Sequence, residues 1–260
     1  NHTFSLTSML AFIIGAGMFG AIVMLPLYLQ VVKTNSATSA GLKLIPLMLG
    51  IVSMSIFSGK KISSSGKYKL FPILGCGIMT LGLILMSTLT ENTSFGVLSI
   101  YAVLVGAGLG LSMQTIVIAL QNSVSFQDMG VATSSNTFFR SLGGAFGTAV
   151  FGTIFSNRIT YYLQDGLTNL QSTNPQALQD FDASKLKVIT TNTSIISTLP
   201  PAVKETVLHS FAQTFHMVFL AAAPITFIGF ILAFFLKEKP LQGSADHSAA
   251  RAEATGEAVG

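Results

Sequence analysis

The stretch that decides the fold is Gly130 to Arg158, GVATSSNTFFRSLGGAFGTAVFGTIFSNR. It is long and apolar enough to cross a bilayer, yet it holds Arg140, the one charge well inside any of the long apolar runs. A charge in a spanning helix is costly, so it usually faces protein or a water-filled cavity. Ser134, Ser135, Asn136 and Thr137 precede Arg140, and Gly143, Gly144, Gly147 and Gly152 follow it. Glycines four apart let a second helix backbone approach closely. A charged, glycine-rich span predicts a helix inside a bundle, beside a pathway through the membrane.

The whole chain agrees. Of 260 residues, 50% are hydrophobic and only 9% charged, with a mean hydropathy of +0.65. Soluble domains carry about 25% charged residues, so this is an integral membrane protein. The single Cys76 lies in an apolar run, which excludes an internal disulfide, and reads as a small core residue. Without Trp, aromatic anchoring falls to Phe and Tyr. The chain starts at Asn1 without a Met and without a signal peptide's basic start, which predicts a piece of a longer protein.

A bilayer core needs about 20 helical residues. Six runs qualify, near 6–32, 37–57, 70–89, 95–119, 130–156 and 214–237. Pro26, Pro46 and Pro224 lie inside the first, second and sixth. The expected plan is five membrane helices over 1–156, an external loop or cap over 157–213, a last membrane helix over 214–237, and a disordered cytoplasmic tail over 238–260. Two sequences in the loop, NPQALQDFDASKLK and LPPAVKETVLHSF, could form short amphipathic helices. Basic residues of short loops mark the cytoplasmic side. Lys60, Lys61, Lys67 and Lys69 crowd one loop and Lys237 and Lys239 open the tail, so six spans put both in the cytoplasm and Lys33, Glu91 and Arg158 outside.

Four patterns carry a resemblance. LPLYLQVVKTNSATSAGLKLIPLMLG (25–50) resembles the first helix pair in the second half of major facilitator superfamily drug exporters. SGKKISSSGKYK (58–69) resembles that superfamily's Gly-x-x-x-Asp-Arg-x-Gly-Arg-Arg loop, with Gly59 and Gly66 in place and Ile62 and Ser63 where the Asp-Arg pair would stand. GAGLGLSMQTIVIALQNSV (106–124) and GVATSSNTFFRSLGGAFGTAVFGTI (130–154) are similar to the 14-span drug:proton antiporter branch, the EmrB/QacA type. The branch often has Pro where this chain has Gln114 or Thr115.

The resemblance implies an all-α transmembrane fold: a six-helix bundle, the last half of a fourteen-span exporter, with a long external loop before the last helix. The implied partners are the N-terminal half of the same transporter, membrane lipid, a small lipophilic substrate and protons, in the cell membrane. It also implies that the first, second, fourth and fifth spans line the central cavity. The third and sixth would pack outside, and they are the most uniformly apolar runs.

Candidate pathway residues are Arg140, Asn136, Gln114, Gln121, Asn122, Tyr28, Met24 and Phe19. Arg140 could equally snorkel or clamp helix ends. Gln121 and Asn122 could be caps, and Phe19, Met24 and Tyr28 plain packing. Gly15, Gly17, Gly20, Gly106, Gly108, Gly110, Gly143, Gly144, Gly147 and Gly152 read as close-packing positions. His209 and His216 read as interfacial, with no metal-ligand spacing. None of the six runs contains Asp or Glu, so a proton-coupled mechanism would take its carboxylate from the other half. No enzyme motif, nucleic-acid signature, cofactor or metal site stands out. The readings that compete with drug export are a non-transporting membrane assembly or regulatory protein and an exporter of a metabolite or lipid.

Overall fold

Apolar runs become helices in a bilayer because their backbone polar groups have no water to bond. A computed structural model of the chain describes residues 2–125, 127–178 and 193–238. Its α-helices are α1 (His2–Val31), α2 (Ala37–Leu42), α3 (Ile45–Ser65), α4 (Leu70–Ser87), α5 (Phe95–Gln121), α6 (Met129–Thr173) and α7 (Pro201–Phe234), with two short 3₁₀ turns between the last two. No strand occurs among the described residues. Six stretches are long and apolar enough to cross a membrane, α2 and α3 together forming the second.

Local chemistry sets the helix ends. After α1, Thr34 takes a left-handed φ of 50° and the Asn35 backbone N–H returns to the Leu29 carbonyl. Ser36 then caps α2 by accepting from the Ser39 N–H. Pro46 does not sit inside a helix as the sequence suggested. It occupies the first turn of α3, where its missing N–H costs nothing. Gly66, at φ 69°, ends α3 by bonding back to the Ile62 carbonyl. Lys60 and Lys61 therefore belong to the end of a helix, not to an open loop.

The largest departure is around 157–213. The fifth span does not stop near residue 156. α6 continues for 45 residues, about 67 Å at 1.5 Å per residue, more than a bilayer core requires. α7 likewise begins at Pro201, not near residue 214. The two extensions pair: Ile159, Leu163 and Leu167 of α6 are buried, as are Val203, Val207 and Phe211 of α7. Ser210 donates to the Tyr162 carbonyl at 3.0 Å across them. Most of the expected NPQALQDFDASKLK helix and the tail beyond Glu238 lie outside the described residues.

In the bundle, α1 packs on α6, α7 and α5; α5 also packs on α3 and α4; α4 and α6 both pack on α7. α3 and α6 flank this group and are the least covered, with 17% and 22% of their apolar windows buried against 67% for α5. α4 is 56% buried, wedged between α5 and α7. Its uniform apolarity therefore reflects packing as much as lipid. Short polar bonds cross the seams: Thr80 to Thr226 at 2.9 Å joins α4 to α7, and Ser55 to the Gly110 carbonyl at 3.2 Å joins α3 to α5. The basic loop and the chain end after α7 meet at one end of the bundle. The Tyr68 N–H donates to Glu238 Oε1 at 3.0 Å and the Tyr68 hydroxyl to the Lys237 carbonyl at 3.2 Å.

Candidate functional site

The seam between α1 and α6 sets the geometry of the site. A Cβ added at Gly15 would collide with the Arg140 carbonyl, and one added at Gly143 with the Phe12 carbonyl. At Gly147 it would lie 2.6 Å from the Ala16 carbonyl oxygen, and at Gly144 it would strike the Phe19 ring. The two backbones touch because these positions lack side chains. Asn136, buried one turn before Arg140, donates from Nδ2 to the Thr7 carbonyl at 3.4 Å. Arg140 is half-buried on this side of α6, and its guanidinium makes no hydrogen bond or ion pair among the described residues.

Two features open from this seam. One is an apolar groove of about 470 Å³ between the first turns of α1 and the facing part of α6, walled by Phe4, Met9, Phe12, Phe139 and Leu142. Ser8 also lines it, and its hydroxyl is buried without a partner. The other is a row of small and hydroxyl side chains along the uncovered face of α6: Ser134, Thr137, Ser141, Ala145 and Thr148. Their spacing of three and four places them on one helix face. Beside them Val131, Phe138, Leu142 and Phe146 are exposed.

The other candidates are distributed. Gln114 is exposed on α5. Gln121 donates to Thr133 at 3.3 Å, tying the end of α5 to the start of α6, and Asn122 is the C-cap of α5. Phe19 is half-buried against Gly144. Tyr28 and Met24 do not line an open face. Tyr28 is fully buried, edge-on to Phe215, with its hydroxyl on the Thr90 carbonyl at 2.7 Å, and Met24 is 5% exposed. Both are covered because α7 and the α4–α5 turn close over the far half of α1. Lys60, Lys61 and Lys67 are exposed and Lys69 is half-buried.

Among the glycines, Gly17 fits under Met79 and Thr226, and Gly20 under the Phe151 ring. Gly106 and Gly110 fit under the Leu47 and Ile51 carbonyls, and Gly108 packs against Gly75 and Met79. Gly152 is an exception, since a Cβ there would meet nothing within 4 Å, and it makes no close contact. His209 and His216 are exposed but engaged: His209 Nδ1 lies 3.3 Å from Glu91 Oε1, and His216 Nδ1 lies 2.6 Å from the Ser87 carbonyl. Sequence reasoning missed Ser8 and the groove. Nothing in SLTSML separates an orphaned hydroxyl from one bonded back to its own helix.

Residues 2–148 match the family model described as Major Facilitator Superfamily. The chain belongs to the major facilitator superfamily. With six apolar helices, this superfamily member is a multi-pass membrane protein. It is 37% identical over 238 residues to an uncharacterized MFS-type transporter of Mycobacterium tuberculosis, covering 92% of this chain and 33% of that protein. It is 32% identical to a tetracycline resistance determinant of Streptomyces rimosus, covering 90% of this chain and 72% of that one. It is also 32% identical to the multidrug transporter protein MdtP of Bacillus subtilis, covering 91% of this chain and 46% of MdtP. The chain thus spans a third to under half of two of these relatives. Among solved structures it resembles a bacterial homolog of the human lysosomal transporter Spinster, in an inward-facing and occupied conformation. The TM-score is 0.68 at 16% identity, over 90% of this chain and 48% of that one. That likeness bears on the fold alone.

Proposed function

We propose that this chain is the C-terminal six-span half of a fourteen-span multidrug exporter of the EmrB/QacA type, exchanging lipophilic compounds for protons. The observation that carries the reading is the uncovered face of α6. A row of hydroxyls, with Arg140 close by, is costly against lipid and suits a water-filled cavity or a facing helix. The N-terminal half would cover this face and that of α3, and the two halves would rock about the substrate near the midplane. Arg140, Gln114 and the α6 hydroxyls would then line one wall, with the apolar groove receiving a greasy substituent. The basic loop and the end of α7 would face the cytoplasm, and the α6–α7 extensions would stand outside. With no Asp or Glu in the six apolar runs, the N-terminal half would supply the proton-carrying carboxylate. The names of MdtP and the tetracycline resistance determinant support export of drugs. The test is dye efflux by the full-length protein in vesicles with an imposed pH gradient. Efflux should follow the gradient, and efflux indifferent to it would reject antiport.

A further inference from the structure

The turn between α4 and α5 is held from two sides. From the α1 side, the Tyr28 hydroxyl donates to the Thr90 carbonyl, and Lys33 Nζ donates to the carbonyls of Glu91 at 2.5 Å and Thr93 at 2.6 Å. From α7, His216 Nδ1 reaches the Ser87 carbonyl at 2.6 Å and His209 Nδ1 reaches Glu91 Oε1 at 3.3 Å. A carbonyl only accepts, so His216 carries a proton on Nδ1. His209 Nε2 lies 3.2 Å from Gln213 Nε2, and the second carboxylate oxygen of Glu91 is buried without a partner. A cavity of about 420 Å³ separates the turn from α7 and is lined by both imidazoles and by Tyr162 of α6. A second, of about 390 Å³, is lined by Glu91, Glu205 and His209.

We infer that the Ser87–Thr93 turn is a proton-operated clasp: protonation of His209 and His216 draws the turn onto α7, and deprotonation releases it. Imidazole changes charge within the physiological range. A neutral His209 offers Glu91 an ordinary hydrogen bond, whereas the imidazolium forms an ion pair and a charge-assisted bond. Protonated His216 likewise strengthens its bond to the Ser87 carbonyl. Glu205, lining the neighbouring cavity, favours the imidazolium. Lys33, on the far side of the turn, opposes it from behind Glu91. The sign is set by Glu91, which His209 touches directly. Each contact is partly solvent-screened, so each histidine changes the closing equilibrium by about threefold, and both by about tenfold. The clasp sits at the end of the bundle opposite the basic loop, and it would operate whatever the protein transports.

The test is hydrogen–deuterium exchange of the full-length protein in nanodiscs at about pH 5 and about pH 8, corrected for intrinsic exchange, read on amides of the 88–94 turn. Protection should be about tenfold greater at the acid value. His209→Gln should reduce that ratio to about threefold, and the H209Q/H216Q double variant should abolish it. Glu91→Gln removes the ion pair while leaving both histidines, and it should behave like H209Q. A pH-independent turn in the wild type, or an undiminished ratio in either the double variant or E91Q, would overturn the proposal.

Discussion

Gly143→Ala is the smallest change that should open the α1–α6 seam. The added methyl would lie 2.7 Å from the Phe12 carbonyl carbon and 2.8 Å from its Cα, and would overlap the carbonyl oxygen. These are backbone atoms in mid-helix, so no side chain can rotate away. An ordinary contact begins near 3.4 Å, so the helices must part by at least roughly 0.7 Å. A gap of about 0.5–1 Å forfeits a quarter to a half of each dispersion contact along the seam. Gly15 and Gly147 share that line, so the loss spreads over several turns. Overpacking of this kind costs about 1–3 kcal/mol. Gly152→Ala is the matched control in the same helix. Its methyl meets nothing within 4 Å, and it gains up to about 1 kcal/mol of helix propensity. Thermal unfolding of the purified full-length protein should place G143A below wild type and G152A at or above it. If G143A matches G152A, the backbones do not touch there and the seam argument fails.

Three further outcomes follow from single side chains. Arg140→Ala should leave unfolding within about 1 kcal/mol of wild type, because the guanidinium bonds to nothing among the described residues. Dye efflux should fall by about tenfold or more if it faces the pathway; normal efflux would return it to a structural role. Ser8→Ala should raise stability by about 1 kcal/mol, since it removes a buried unpartnered hydroxyl, and a thermal shift measures it. Lys33, outside the spans, is held below its ordinary 10.5 mainly by burial, with Glu91 pulling the other way and Lys43 adding to the depression. The unfolded chain therefore binds the extra proton just below 10.5, and stability rises with pH through that window. Lys33→Met should flatten that slope in denaturation measured across alkaline pH.

The six runs, the start of α4 and the shared end of the basic loop and α7 were legible because bilayer chemistry is written in each segment separately. The α6 and α7 extensions were not, because a hydropathy criterion stops at the membrane surface. The signal was present at a different scale: Ile159, Leu163 and Leu167 recur every fourth residue, as do Val203, Val207 and Phe211, the mark of two helices packing on one another in water. Tyr28 illustrates a different limit. Its hydroxyl partner lies 62 residues away in sequence, so its burial depends on how α4 and α5 turn back over α1. Gly147 and Gly152 look alike in sequence and differ only in what stands opposite.

The same limit governs which helices face lipid. Apolarity alone ranked α4 as an outer helix, yet it lies between α5 and α7, whereas α3 and α6 carry the widest uncovered faces. Lipid tails and a partner helix are equally content with Leu, Ile and Phe, so those residues cannot say which of the two covers a face. The side chains that can are the ones a bilayer penalises. On α6 they are Ser134, Thr137 and Ser141, with Arg140 close by, and on α5 Gln114 is exposed as well. A hydroxyl can satisfy itself on its own helix, as Ser134 does on the Gly130 carbonyl and Thr137 on that of Thr133. A guanidinium, with five donors, cannot. The decision between lipid and protein on this face therefore falls to Arg140, and the identity of its partner is the most informative contact to seek in the full-length protein.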